Sequence, residues 1–402
     1  MPALSPEQMH PVPDSVHRQH QAEKNSRKST LVKKTPRKKD SVCLKITRRL
    51  YPPFSAMFVL LTCAVYRFLP QDHPWNYSTH MMTLSYPMTK KDGTVLYGKG
   101  VDDVPVVVFL VLCMFCCRYL VTEYVFAPLA HLMGTQKKKK GSFLDMGWQF
   151  VWYTASWLAS AYFVSTETGF VFDNMWKGQN NPNLEDTPQH LYISWSFKLY
   201  YLAELAFWLS MIFTTVLEKW RKDFPEMMIH HFMTSGMIYY SYKTNFTAVG
   251  VFILFEQDLA DIFLPLAKMA KYSKMDDVAD IFFAVFAVAW IPTRHVFFFY
   301  IYHSIWTSAE QHPVEVANAD PSKGAYFDEA FINKWLITLG LFQCLLLVWL
   351  KALLFAVYKA LCGESKGKVE DHRSESDVSD SDADKSVSQL LWGRGDDMKK
   401  MQ

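Results

Sequence analysis

His230 and His231 stand side by side in "RKDFPEMMIHHFMTSGMIYY" (residues 221–240), a stretch that opens with a basic cluster and turns apolar. Imidazoles are costly to desolvate in lipid, so a pair in such a run belongs to a protein interior or a wet cavity. Downstream, "VGVFILFEQDLADIFLPLAK" (residues 249–268) sets Glu256, Asp258 and Asp261 in or beside a second apolar run. Asp258 and Asp261 are three apart and share a helix face, and carboxylates inside a membrane need partners. Only a few residues near 243–247 join the two stretches, which makes them neighbouring antiparallel helices. Two imidazoles and two carboxylates can therefore meet across one interface.

Three uses of such a cluster compete. Hydrogen bonds between histidine and aspartate can simply pin two helices together. A membrane di-iron centre is a second use, but it takes several histidine boxes of the HxxxH and HxxHH kind; Met227 stands where HxxHH would need its first histidine, and no other box occurs. A nucleophilic or basic histidine oriented by aspartate fits best. Adjacent helical side chains point about 100° apart, so one histidine can face substrate while the other holds a different partner. Arg294 and His295 add polarity in the next span but one and are candidate substrate-binding residues. Lys219, Arg221 and Lys222 precede the histidine helix and, beyond setting topology, suit a phosphate-bearing acyl donor such as acyl-CoA at a cavity entrance. No metal site is expected. Cys113, Cys116 and Cys117 lie on one apolar helix without a matching cluster and read as small buried hydrophobes.

The elements that must hold these residues are membrane helices. The chain has 402 residues, half of them apolar and 16% aromatic. Apolar runs cover roughly 54–69, 104–127, 143–165, 195–217, 227–242, 248–267, 279–303 and 331–359, several of them near the about 20 residues that span a bilayer. The fold class expected is all-α: a polytopic membrane protein of about eight transmembrane helices, with spans 3 to 8 enclosing a cavity and spans 1 and 2 outside it. The net charge of +3 matters less than its distribution. Basic residues crowd 24–49, 137–140, 218–223 and 268–274, while 71–103, 166–193 and 304–330 hold few. With eight spans these sets fall on opposite sides, which puts both termini and the basic loops in the cytosol. The basic N-terminal tail is then topogenic and calls for no nucleic acid. No cleavable signal peptide is visible. None of the seven cysteines lies in a lumenal loop, so no disulfide framework is implied. Asn76, in the sequon "NYS", is a glycosylation acceptor in a lumenal loop. The tail after Cys362 is Ser/Asp-rich and reads as disordered; Ser374, Ser379 and Ser381 each have an aspartate three residues on and suit an acid-directed kinase.

Against this background, "EKWRKDFPEMMIHHFMTSGMIYYSYKTNFTAVG" followed by "FEQDLADIFLPLAKMAKY", with "YYLAELAFW" at 200–208, resembles the longevity-assurance, TLC-domain ceramide synthases. The likeness runs from about Gly141 to Tyr358, and RKDFxxMxxHH with DxxD downstream is a specific signature. The resemblance implies a six-helix TLC-type bundle and N-acylation of a sphingoid base by fatty acyl-CoA in the endoplasmic reticulum membrane. Acyl-CoA serves as co-substrate and no cofactor is needed. His230 and His231 correspond to the essential pair, and Asp258 and Asp261 to the paired acids. Many animal members carry histidine just before the first aspartate, where this chain has Gln257, and many also carry a homeobox-like insert that is missing here; a fungal-type enzyme is the better likeness. Expected partners are membrane lipids, a small single-span regulatory subunit and a homo- or hetero-dimeric synthase partner. The domains read as a basic tail (1–50), two accessory spans with their loop (51–140), a TLC catalytic domain (141–360) and an acidic tail (361–402). Two rivals are a non-catalytic TLC-domain protein that binds or senses lipid, and a transporter. Retention of both histidines and both aspartates opposes the first, and the lack of inverted repeats opposes the second.

Overall fold

Each apolar run becomes a helix in the computed structural model, which describes residues 42–71, 73, 76–168, 191–217, 223–311 and 313–362. Lys219, Arg221, Lys222, Ser374, Ser379 and Ser381 lie outside the described residues, as do most of the two expected tails. In order, the long helices are α1 (Val42–Phe68), α2 (Val104–Leu120), α3 (Lys140–Phe163), α4 (Trp195–Leu217), α5 (Phe224–Lys243), α6 (Thr247–Asp261), α7 (Phe263–Tyr272), α8 (Asp276–Ile291), α9 (Phe298–Gln311) and α10 (Glu329–Cys362). A π-helical turn at Val121–Phe126 carries α2 on into Ala127–Leu132, and another at Pro292–Phe297 joins α8 to α9. With α6 and α7 read as one pass and α8 and α9 as another, the described residues make eight helical passes of an all-α, multi-pass membrane protein.

Five of the passes are long and apolar enough to cross a membrane by composition alone: Leu50–Phe68, Val101–Leu132, Trp195–Leu217, Asp276–Gln311 and Glu329–Tyr358. The other three, α3, α5 and α6–α7, carry the polar side chains described below. They are less apolar because each carries polar residues that pack against protein, among them Ser156, His231 and Asp258, and in a bilayer helices associate by close packing and internal hydrogen bonds. The central helix is α4, with 61% of its apolar window buried against 17% for the α2 pass. On one side Phe207 stacks on Trp152 of α3, centroids 4.5 Å apart. On another, Tyr51 of α1 packs edge-on against Phe213, 5.9 Å away, and against Phe115 of α2, 5.3 Å away.

Local chemistry sets the turn between the two histidine- and aspartate-bearing helices. Pro225 sits in the first turn of α5, where its missing N–H costs nothing, and Lys243 in the last turn complements the helix dipole. The chain then reverses through Asn245 at φ 62°, a left-handed conformation that asparagine tolerates better than most residues. Asn245 is buried; its Nδ2 donates to the Gly324 carbonyl at 3.0 Å and its Oδ1 accepts from Lys99 Nζ at 3.1 Å. Gly250, one turn into α6, leaves room for the Tyr201 hydroxyl, which a Cβ there would overlap.

The loop after α1 is more ordered than its sequence suggests. It carries a two-stranded antiparallel hairpin, β1 (Pro87–Thr89) with β2 (Val95–Tyr97), whose Tyr97 exchanges two backbone hydrogen bonds with Ile193 ahead of α4. Asp103, 2% exposed at the start of α2, pairs with the fully buried Lys198 of α4 at 2.6 Å. Lys198 Nζ also donates to the carbonyls of Ser85 at 2.9 Å and Gly98 at 2.8 Å. The second Asp103 oxygen accepts from the Tyr242 hydroxyl at 2.8 Å and from Gly100 N–H at 3.0 Å. One ion pair thus ties the hairpin, α2, α4 and the end of α5 together. The same loop holds Asn76, the expected glycan acceptor. That residue is 5% exposed, and its Nδ2 donates to the carbonyls of Leu69 at 3.1 Å and Pro70 at 2.9 Å while its Oδ1 accepts from Ser78.

Candidate active site

At the end of the bundle away from the hairpin, α3, α4, α5, α6–α7, α8 and α10 surround a cavity of about 650 Å³. Neither α1 nor α2 contributes a lining residue, in keeping with spans 3 to 8 enclosing the site. His230, His231, Asp261 and Arg294 line it. Asp223, Lys268, Lys271 and Asp280 lie where α5 and α8 begin and α7 ends, which makes this the polar end of the cavity. Farther along, Phe283, Phe286, Leu346, Trp349 and Leu353 give it an apolar wall that suits an alkyl chain.

The histidines sit at the junction of the polar and apolar parts. His231 is 1% exposed, whereas His230 is half-buried. Their ring centroids are 5.6 Å apart. Trp208 of α4 packs against both, at 5.2 Å from His230 and 5.7 Å from His231. Phe342 stacks on His230 at 5.6 Å and Trp349 meets it edge-on at 5.1 Å. Thr234, one turn along α5, brings its hydroxyl 3.5 Å from His230 Nδ1. Aromatic walls on several sides fix the ring, and the tautomer that donates Nδ1–H to the threonine hydroxyl is the one that leaves the Nε2 lone pair for chemistry.

The two aspartates share a helix face, as their spacing requires, but meet different neighbours. Asp261 Oδ2 pairs with Arg294 Nη2 at 2.8 Å, and Arg294 Nη1 donates to the Gln257 carbonyl at 2.6 Å. Asp258 lies off the cavity, 3% exposed, and accepts from the Ser156 hydroxyl of α3 at 2.5 Å. Glu204 of α4, 1% exposed, lies beside the same Ser156. The expected meeting of two imidazoles with two carboxylates is therefore divided: Asp261 joins the histidines on the cavity wall, and Asp258 joins a buried acid and a serine behind it. Of the candidate substrate-binding residues, Arg294 lines the cavity, and His295 turns to Gln343, with its Nδ1 2.6 Å from the amide nitrogen.

Sequence reasoning missed Trp208, Tyr153, Ser156, Glu204, Gln343 and the cavity role of Lys268 and Lys271. For Glu204 a signal was available, since an acid in the apolar run "YYLAELAFW" needs a partner. The aromatic residues had none, because tryptophan or tyrosine occurs in most spans of this chain.

Comparison with known proteins adds to the geometry. The TLC domain profile matches residues 142–355. The chain is similar to the sphingosine N-acyltransferase lag1 of Schizosaccharomyces pombe, at 31% identity over 308 residues, covering 76% of this chain and 75% of that protein. It is 30% identical over 250 residues to ceramide synthase 4 of Mus musculus, covering 61% and 57% of the two chains. With ceramide synthase LAG1 of Saccharomyces cerevisiae it shares 27% identity over 337 residues, covering 81% and 76%.

Proposed function

We propose that this chain, which belongs to the TLC-domain family on its ceramide synthase branch, transfers a fatty acyl group from acyl-CoA to the amine of a sphingoid base. The observation that carries the reading is one cavity that His230, His231, Asp261 and Arg294 all line, with lysines at its polar end and an apolar wall beyond. The CoA phosphates lie against Lys268 and Lys271, and Lys219, Arg221 and Lys222, just before α5 in the sequence, are proposed to add charge for the same group. The thioester carbonyl reaches His230 and the acyl tail enters the bundle.

His230 Nε2 attacks the carbonyl carbon, the C–S bond breaks, and an acyl-imidazolium forms with CoA leaving as thiolate. The sphingoid amine then attacks the same carbon. The C–N bond to the imidazole breaks as the amide forms, and the amine's proton passes through the imidazole to the thiolate, so that the sum is one amide and one CoA thiol. His231 and the Asp261–Arg294 pair line the same cavity, where the Asp261 carboxylate is the group able to balance positive charge developing on the imidazole, and Asp258 acts from behind through α6. The acyl carrier is the only co-reactant, with no further cofactor. The protein works in the endoplasmic reticulum membrane with both termini in the cytosol, a reading supported by its distribution of basic residues. A small single-span subunit and a second synthase chain are its expected companions.

The test is to incubate the purified full-length chain with acyl-CoA and sphingoid base and to measure amide product by mass spectrometry. A second arm with acyl-CoA alone is read by intact mass and peptide mapping. Amide formation with an acyl adduct on His230 is the expected result. Amide without an adduct would replace the covalent route by direct amine attack with histidine as base. Binding of acyl-CoA with no amide formed would make the chain a lipid-binding protein.

A further inference from the structure

Tyr153 of α3 lines the cavity, yet its hydroxyl bonds to no described residue. The side chain is only 9% exposed. Its oxygen nevertheless keeps an opening, unlike the Tyr200 hydroxyl of α4, which is sealed. Contacts on two flanks set its height in the bundle. Phe207 of α4 meets the Tyr153 ring edge-on at 5.9 Å, and the adjacent Trp208 packs against His230 at 5.2 Å and His231 at 5.7 Å. On the other flank, the Gln136 N–H ahead of α3 donates to the Tyr272 carbonyl at the end of α7 at 3.2 Å, so α3 runs antiparallel to α6–α7. Farther along α3, Ser156 bonds to Asp258 of α6. One turn back along α3 and one turn on along α6, Tyr153 therefore stands level with Asp261, and the charges of Asp261 and Arg294 both act on its hydroxyl.

We infer that the Tyr153 hydroxyl donates the hydrogen bond that stabilises the substrate carbonyl oxygen when it becomes an oxyanion during acyl transfer. The inference rests on the acyl-transfer reading above. When His230 attacks the thioester, the C=O π pair moves onto oxygen and returns as the C–S bond breaks. Attack by the amine repeats the cycle as the C–N bond to the imidazole breaks. In both steps Tyr153 keeps its proton. The same oxyanion forms if the amine attacks the thioester directly. Negative charge that develops among apolar walls needs a fixed donor, and with water excluded that donor carries much of the stabilisation. The other donors of the cavity are placed for different work. Arg294 is held by Asp261 and the Gln257 carbonyl. Both His231 ring nitrogens are sealed from open space. Gln149 precedes Tyr153 by about one turn and Thr215 follows Trp208 by about two, which at about 1.5 Å per residue sets them roughly 6 and 10 Å nearer the lysine-bearing end. Tyr153 is the donor at the height of the histidines.

Tyr153→Phe removes the hydroxyl and keeps the ring. The experiment compares this variant with the wild type, both as purified full-length protein, in kcat and kcat/KM for amide formation across pH, in the thermal unfolding midpoint, and in binding of an S-alkyl-CoA, a thioether with the chain but no carbonyl. Loss of one oxyanion donor should lower kcat and kcat/KM together by about 10²-fold or more. Binding of the thioether and the unfolding midpoint should stay where they were, and the pH profile should drop without changing shape, because the hydroxyl transfers no proton. A variant as fast as the wild type would overturn the inference. Weaker thioether binding, or a raised KM at unchanged kcat, would overturn it in favour of a contact made equally in the ground state. A profile that loses one of its limbs would make Tyr153 a proton donor or acceptor instead, and a fall in the unfolding midpoint that matches the loss of activity would make it a packing residue. Failure of the acyl-transfer reading looks different, since the wild type would then yield no amide at all.

Discussion

Among the cation–carboxylate pairs of the described residues, one at each end of the helices can be set side by side, and the two are finished differently. At the hairpin end, Lys198 Nζ pairs with one Asp103 oxygen and donates to the Ser85 and Gly98 carbonyls, and the other Asp103 oxygen takes donors from Tyr242 and Gly100. The side chains are 0% and 3% exposed. At the cavity end, the Arg294 side chain is 6% exposed but Asp261 is 25% exposed, and both face open space. A saturated pair can only hold its helices, because any movement strands a charge. An open pair can exchange one partner for a substrate group. Saturation thus separates the residues that build the bundle from those that act in it, although both kinds look alike in the sequence.

The sharpest break falls on the histidines. Replacing His230 with alanine should lower acyl transfer by at least about 10³-fold, measured as amide formed per folded protein, with little change in the thermal unfolding midpoint because the ring borders a cavity. A matching loss of folded protein would move His230 to the structural side of the comparison.

Lys198→Met tests the other end. It leaves Asp103 buried without its cation, and removal of one partner of a buried pair costs about 3–5 kcal/mol. The expected outcome is a large fall in the unfolding midpoint of the purified protein or a loss of yield. Adding Asp103→Asn should recover much of that loss, since the second change removes the stranded charge and keeps an acceptor for Tyr242. No rescue would mean that the hairpin end is held by something other than this pair.

The aspartates divide along the same line. Asp261→Asn should lower turnover by about 10- to 100-fold with a smaller stability change than Lys198→Met, because the amide cannot balance positive charge developing at the histidines. Asp258→Asn keeps an accepting oxygen for Ser156 and should cost less turnover. Rates that fall equally would return the two acids to a single unit.

What the sequence made legible follows from which signals are local. Eight passes could be read because each apolar run is contiguous, and the three that fail a membrane test by composition are those whose polar residues face protein, such as His231 in α5 and Asp258 in α6. The turn at 243–247 placed α5 beside α6 for the same reason. Partnership across distance was not legible. Asp103 and Lys198 each read as an ordinary charge at the end of an apolar run, and only the fold joins them. Asp258 and Asp261 illustrate a finer limit: a three-residue step rotates a side chain by about 60° from its neighbour on the same face, enough to give one aspartate a serine and the other an arginine. The hairpin at 87–97 was hidden because its strands are three residues each, too short for alternation to show.

The smallest effect expected is at the polar end of the cavity. Lys268 and Lys271 are three apart on α7, lie on one face, and are both partly exposed where the cavity meets Asp223 and Asp280. Lys271 also pairs with Asp276 at 2.7 Å, a bond between side chains 25% and 46% exposed, and pairs of that kind contribute little stability. Changing both lysines to glutamine should therefore leave the fold nearly untouched, unlike any change at Lys198. What it removes is attraction for a polyanion approaching from solvent, which acts over about 10 Å at 0.1 M salt and about 30 Å at 0.01 M. The KM for acyl-CoA should rise several-fold at the lower salt and by much less at the higher one, with the KM for the sphingoid base unmoved because that substrate carries no phosphate. Equal increases for both substrates would show that the lysines shape the cavity itself and would shift them to the structural side of the divide. A rise that ignores salt would mean direct contact with a phosphate group in place of long-range attraction.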